Sequence, residues 1–371
     1  MNSSDRIRTS SAFHRALLAL VPVPFVLGCF LLLRWNDERR DFGQMKEHFL
    51  SRQNAVLAFG AANVASGFSD MLEKAGRDVQ VLRLLPKTTA ALEGFHKAQV
   101  GDFTRFGGGT ASVNREALPF YNRLAFYDER GKTIAAVEGG KAGVGPRSVA
   151  ECRLAELCDG DVLREALAAK PGTLRYGRVL RYYTPKGDHS HDTRAGLTVA
   201  LRDATGVVAL TVDFRHLHDH MTTPTFPYEP KRDLVQAYHR GNYIYVVDDR
   251  LNVITHPMPW HQAGIDRNTG TWRAPLKSDD EAGQAPINIG VYTGERVREY
   301  FRRLLDVSFK MQGVDLFKAP NMAGVPRVIS VSPIRVAFGQ FESGEQPFGW
   351  TIVGCAVEYF EEPRERLVPY Y

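Results

Sequence analysis

Hydrophobic positions change character three times along the chain. Residues 16–33, ALLALVPVPFVLGCFLLL, form an unbroken apolar run without a charge. At about 1.5 Å per residue this run is roughly 27 Å long as a helix, near the lower limit for crossing a bilayer. Arg15 and Arg34 bracket it, and Trp35 suits a membrane–water interface. Pro22 and Pro24 are better tolerated in a membrane helix than in a soluble one. A cleaved signal peptide has a shorter apolar region followed by an A-x-A site, and neither is present. Lipidation at Cys29 fits poorly, because Phe30-Leu31-Leu32-Leu33 continue the apolar run. The expectation is a retained anchor over 16–35 behind a cytoplasmic tail, 1–15.

A helical period follows over 36–85. Phe42, Met45, Phe49, Val56 and Phe59 step by three, four and seven, and after a phase shift Val64, Phe68, Met71, Ala75, Val79 and Leu82 continue. Such steps place side chains on one helix face. Fifty helical residues reach roughly 75 Å, which suits a stalk and a homodimer seam, or a helix facing the core of a large domain. Gly43, Gly60, Gly67 and Gly76 lower helix propensity, so packing must support the element. Pro86 ends the pattern.

The period then shortens to two and a repeat emerges. Ala125-Phe126-Tyr127-Asp128-Glu129-Arg130 leads into Gly131-Lys132-Thr133-Ile134, and Tyr245-Val246-Val247-Asp248-Asp249-Arg250 leads into Leu251-Asn252-Val253-Ile254. Each reads as strand, polar turn, strand. A second echo pairs the run from Gly206 to Phe214 with that from Gly349 to Tyr359. Two similar α+β modules in tandem follow, over 86–225 and 226–360, with a tail at 361–371. Their boundary falls in the proline-rich TTPTFPYEP, residues 222–230.

Composition narrows the function. Hydrophobic residues make up 44% and charged residues 24%, a globular balance. Lys and Arg number 47 against 42 Asp and Glu, interspersed for a net +5, so no nucleic-acid surface is expected. Four cysteines are too few for a disulfide scaffold. Cys152 and Cys158 bridge only if the short helix opened by Ser148-x-x-Glu151 breaks before Cys158. Cys355 alternates within a strand as a small core residue.

Gly131-Lys132-Thr133 lacks the earlier glycine of a phosphate loop, and Gly107-Gly108-Gly109 lacks a dinucleotide fingerprint. No H-E-x-x-H, G-x-S-x-G or C-x-x-C occurs. In Arg215-His216-Leu217-His218-Asp219-His220, His216 and His220 share a helix face, and a metal site needs a third ligand, for which His189 and His191 are distant candidates. No cofactor, catalytic residue or metal is expected.

Strand alternation supplies a candidate binding face. Val208, Leu210, Val212 and Phe214 share one face of a strand, and Ala209, Thr211 and Asp213 the other. A carboxylate on a small, semi-polar face suits a pocket wall. On the strand over 175–183, Tyr176, Arg178 and Tyr182 fall opposite Arg181 and Tyr183, and either set suits a pocket, arginine reading a carboxylate and tyrosine adding a flat wall. An ordinary solvated sheet face remains the alternative.

Anchor, long helix and tandem modules together resemble the double Cache family, the extracytoplasmic sensor regions of bacterial transmembrane receptors. FYDERGKTI, AGLTVALRDATGVVALTVDF, YIYVVDDRLNVITHP and PFGWTIVGCAVEYF carry the resemblance through their order and spacing. It implies two PAS-like modules with antiparallel sheets on one long helix, single-pass in the inner membrane with the bulk periplasmic. It also implies a small-molecule ligand in the first, membrane-distal module, of the carboxylate, amine or amino-acid class. Of the Arg-x-Trp-Tyr signature and strand-end Asp of the amino-acid-binding branch, only the Asp has a counterpart, Asp213. Family receptors follow the second module with another membrane helix and an output domain. No such run follows residue 360, so a separate signalling partner or a longer gene is expected. The alternatives are an anchored metal-dependent hydrolase using His216 and His220, and a scaffold subunit without ligand.

Overall fold

The computed structural model describes residues 22–106, 113–139, 141–142, 149, 159–181, 195–213, 216, 243–255, 288–289, 299, 317–320, 326–341 and 346–356. The chain divides into two compact units. In the first, Met1–Gln53 with Phe360–Tyr371, the described residues are helical; the second, Asn54–Tyr359, holds every described strand.

Helix α1 runs over Pro22–Arg83. All six apolar residues of the second stripe, from Val64 to Leu82, are buried. Burying a side chain the size of Phe68 or Leu72 stabilises by about 1.5–3 kcal/mol. Phe59, assigned to the first stripe, is 73% exposed, and Leu57 and Ala61 extend the core face instead. The helix ends in tightened bonds, Leu84 N to Val81 O at 3.0 Å and Leu85 N to Leu82 O at 3.1 Å, just before Pro86. Thr88 then caps α2 (Thr89–Ala98) by accepting from Ala91 N.

Among the described residues no helix is long and apolar enough to cross a membrane. Residues 16–21 of the expected span lie outside them. Within α1, Phe30, Leu31, Leu32, Leu33 and Trp35 are exposed, as is Cys29.

The architecture is α+β with antiparallel sheets. Strands β1 (Val100–Phe106) and β2 (Val113–Pro119) form a ribbon. A six-stranded sheet contains β3 (Tyr121–Asp128), β4 (Thr133–Glu138), β5 (Lys141–Ala142), β6 (Leu174–Arg181), β7 (Ala195–Asp203) and β8 (Gly206–Asp213). A five-stranded sheet contains β9 (Tyr243–Asp248), β10 (Val253–Thr255), β11 (Phe317–Pro320), β12 (Pro326–Ile334) and β13 (Gly349–Ala356). The orders are β5-β4-β3-β8-β7-β6 and β10-β9-β13-β12-β11. Setting β5 aside, both sheets have the strand order 2-1-5-4-3 counted from the strand-turn-strand unit.

The repeat extends to individual hydrogen bonds. Asp128 Oδ1 accepts from Arg130 N at 2.9 Å and Lys132 N at 2.8 Å; Asp248 Oδ1 accepts from Arg250 N and Asn252 N, both at 2.9 Å. Gly131 occupies the left-handed position of the first turn with φ 75°, and Leu251 that of the second with φ 64°. The carbonyl at that position accepts from Val149 N in the first turn and from Ile289 N in the second. Leu251 holds a conformation usually left to glycine, and its side chain is fully buried. The expected boundary at 222–230 lies outside the described residues, as do Cys152 and Cys158.

Candidate functional site

Register assigns the two faces of the six-stranded sheet. Arg123 pairs with Thr211, Ala125 with Ala209 and Tyr127 with Val207, while Thr198 pairs with Thr211 from the other side. Paired residues share a face. Helix α3 (Gly160–Ala168) covers part of this face, packing Val162, Leu163 and Ala166 on Ala125, Tyr127, Ala200 and Ala209. Leu124, Leu210, Phe126 and Val208 point the other way and are buried. On that second side lies α1, where the Tyr121 hydroxyl donates to Asp78 and the Tyr176 hydroxyl to Leu72 O.

Where α3 stops covering the first face, a crevice remains. Arg123, Ala125 and Tyr127 of β3, Ala209 and Thr211 of β8, Thr198 of β7 and Leu163 of α3 line it. Its walls stand so close that no point within it seats a water molecule. The polar groups converge at one end. Arg123 Nη1 donates to Glu138 Oε2 at 3.1 Å, and Nη2 to the Tyr127 hydroxyl at 3.3 Å. The Thr198 and Thr211 hydroxyls share a hydrogen bond of 3.1 Å. The Arg123 side chain is 5% exposed, against 25% for Glu138. Among the described residues its buried Nε–H has no hydrogen-bond partner. A buried donor left unmatched costs about 1–3 kcal/mol.

A register shift aims Arg123. Tyr121 pairs with Val212 and Arg123 with Thr211, so two steps on β3 match one on β8. Such a shift reverses the alternation, sending Tyr121 to α1 and Arg123 to the crevice. Burial and the bond to Asp78 push the Tyr121 phenol well above the usual tyrosine range.

Of the sequence-derived site residues, Thr211 lines the crevice, and Asp213, also buried, lies two residues along on the same face. Tyr176 is not brought to them. Strand β6 shifts register between Tyr176 and Val179, so simple alternation fails there. Tyr176 sits on the α1 face, its ring 5.9 Å from that of Phe341. A Cβ on Gly76 would meet its hydroxyl, so the glycine makes room for that contact.

Arg178 lies in the shifted segment, and its backbone N donates to Asp159 Oδ2 at 3.0 Å. Asp159 also caps α3 through Asp161 N and Val162 N, and burial holds its carboxyl above the ordinary aspartate range despite those bonds. Arg181 pairs with Ala195 through its backbone. Tyr182 and Tyr183 lie outside the described residues. Arg123, Tyr127, Glu138 and Thr198 were missed. For Arg123 and Tyr127 the sequence signal was alternation along β3, where Arg123 stands at the far end from the turn; Glu138 and Thr198 come from β4 and β7.

His216 is buried, stacks on Phe120 with centroids 4.8 Å apart, and places Nε2 3.1 Å from Pro119 O. His220, His189 and His191 lie outside the described residues, and no group of three metal-binding side chains occurs among the described ones.

No protein-family model matches the chain, and no curated protein matches it. Solved structures do. The periplasmic sensory domain of the Campylobacter jejuni chemoreceptor Tlp1 is 12% identical, covering 85% of this chain and 99% of that one, with a TM-score of 0.48. The sensory domain of Tlp3 (CcmL), also from Campylobacter jejuni, is 8% identical over 86% of this chain and 98% of its own, with a TM-score of 0.41. The ligand-binding domain of the Pseudomonas aeruginosa amino-acid chemoreceptor PctC, in complex with GABA, is 12% identical over 82% and 98%, with a TM-score of 0.39. The chain is similar to the sensory domains of chemoreceptors.

Proposed function

We propose that this chain is the sensory part of a signalling system, binding a small molecule in the Arg123–Thr198–Thr211 crevice. The carrying observation is that crevice: hydroxyls and a buried guanidinium converge on a sheet face that α3 only partly covers. A concave face with a few convergent polar groups is where a small ligand is expected to bind.

Ligand entry has to part Leu163 from the sheet. That moves α3, which Asp159 ties to the shifted segment of β6, and Tyr176 on the same segment bonds to α1. Binding therefore favours one of two packings of α3 and β6 against the long helix, as a sensor requires. The first module, 86–225, is the ligand-binding one in this reading, and the second, 226–360, its structural twin. The exposed Phe30–Leu33 and Trp35 support a membrane anchor continuing back through residue 16, with the modules outside the cytoplasm. Helix α1 is the proposed dimer element, and output passes to a partner or to a further segment.

A thermal-shift screen of carboxylates, amines, amino acids and neutral polyols tests the reading. A ligand should raise the melting temperature by linkage, and Thr211→Val should remove the shift. A screen in which no compound of any charge moves the transition refutes it.

A further inference from the structure

The connection between β12 and β13 breaks the repeat. Its counterpart in the six-stranded sheet, between β7 and β8, is a turn of two residues, Ala204 and Thr205. In the five-stranded sheet the same hairpin leaves at Ile334 and returns at Gly349, with residues 335–348 between. Phe348 N donates to Ile334 O at 2.9 Å, so the excursion is closed at its base and is an addition to an intact hairpin. Excess chain of this kind costs closure entropy and persists where it makes contacts of its own.

We infer that this connection is a strap joining the two sheets, which holds the outer edge of β6 and couples the α3 cap to the five-stranded sheet. Strand β6 ends the six-stranded sheet, so one of its sides has no strand beside it. Gln340 stands in for that strand. Its Oε1 accepts from Tyr176 N and its Nε2 donates to Tyr176 O, both at 2.9 Å. Gly339 lets the strap approach this closely, because a Cβ there would lie 2.8 Å from Leu174 O. Phe341 sets its ring 5.9 Å from that of Tyr176 and 5.8 Å from that of Phe348, and Ala337 N donates to Glu73 of α1 at 3.3 Å.

Two residues along β6, Arg178 N donates to Asp159 Oδ2 at 3.0 Å. The register with β7 shifts between Tyr176 and Val179, so the ladder is interrupted over this stretch. The segment is therefore fixed by α3 at Arg178 and by the strap at Tyr176. A displacement of the α3 cap reaches Gln340 through two peptide units. The Arg178 guanidinium also attracts the Asp249 carboxylate in the β9–β10 turn, which adds a charge link to the same sheet. The coupling needs no ligand, so it can be read on the chain alone.

Tryptophan placement supplies the assay. Trp260, Trp272 and Trp350 all follow β9 in sequence, none occurs between residues 36 and 259, and Trp35 is already exposed. Fluorescence therefore follows the half of the chain with the five-stranded sheet, while far-ultraviolet circular dichroism follows both halves. In urea the full-length parent should give coincident transitions by the two probes, and Asp159→Ala should lower the fluorescence midpoint by about 1 M. In a Gly339→Ala/Gln340→Ala background the probes should separate, and adding Asp159→Ala should move the fluorescence midpoint by less than about 0.2 M. If that background does not fold, Gln340→Ala alone decides, since it removes only two hydrogen bonds. Under native conditions Asp159→Ala should speed hydrogen exchange at the Phe348 amide by about threefold or more, whereas Gly139→Ala, at the far side of the six-stranded sheet, should not. The strap is overturned if fluorescence in the parent ignores Asp159→Ala, or if its response is as large without the strap contacts as with them. Equal effects of Asp159→Ala and Gly139→Ala at Phe348 overturn the route through β6.

Discussion

Alanine at Gly206 is the sharpest probe of the repeated architecture. Gly206 pairs with Asp128 at the closed end of the β3–β8 ladder, with φ 150°. A Cβ there would lie 1.9 Å from Tyr127 O, where real Cβ contacts essentially never fall below 3.0 Å. One strand must therefore retreat by roughly 1 Å from a close-packed partner. Neither flank yields easily: β8 is buried along its whole length, and Tyr127 is 1% exposed. Overpacking, backbone strain and weakened rungs together put the loss on the order of 3–5 kcal/mol, a large share of a typical 5–15 kcal/mol.

Gly349 is the counterpart, pairing with Asp248, and its Cβ would lie 2.1 Å from Val247 O. Gly349→Ala should be comparably damaging. Two controls bracket the effect. Gly172 has φ 88° and open space around it, so Gly172→Ala should lose only about 1–2 kcal/mol of backbone strain. Gly94 lies in α2 with nothing near, and Gly94→Ala should gain up to about 1 kcal/mol. Urea denaturation of the four variants, followed by circular dichroism, reads the series. A Gly206→Ala protein within about 1 kcal/mol of the parent refutes the packing argument. Tolerance at Gly349 alone refutes the equivalence of the two glycines.

Three further outcomes are expected. The Tyr121 and Tyr176 phenols are both pushed up, mainly by burial, so they stay protonated in the fold while unfolded tyrosines ionise near 10.0. Their contribution is complete below that pH and is lost as pH rises beyond it, so alkaline melts of Tyr121→Phe and Tyr176→Phe should decline less steeply than the parent; identical slopes would contradict this. Asp159→Ala leaves three backbone N–H groups without their acceptor and should lower stability by about 2–4 kcal/mol, whereas a loss under about 0.5 kcal/mol would mean the cap is idle. Gln340 receives Tyr176 N and donates to Tyr176 O, both at 2.9 Å, so Gln340→Ala should speed hydrogen exchange at the Tyr176 amide by about tenfold, and unchanged exchange would show another group protecting it.

Local pattern accounts for what the sequence made legible. The stripe from Val64 to Leu82 predicted a helix face, and all six of its apolar members are buried. The two Asp-led turns predicted two hairpins, which share their hydrogen bonds because an aspartate side chain can organise the four residues after it unaided. Alternation along β8 put Ala209 and Thr211 together, and they line one crevice.

Arg123 and Tyr176 show where that information ends. Each adjoins a register shift, and a shift depends on how many residues the partner strand sets opposite, which no single segment encodes. Alternation therefore grouped Tyr176, which faces α1, with Arg178 across the shift, and passed over Arg123, whose environment comes from Glu138 on β4, Tyr127 on its own strand and a helix from elsewhere in the chain. The amino-acid sequence by itself determined the periodic elements, their repetition and the polar face of one strand, because those depend on neighbours within a few residues. Only the tertiary structure decided which charge was buried and which donor was left open, because desolvation is imposed by strands and helices distant in sequence.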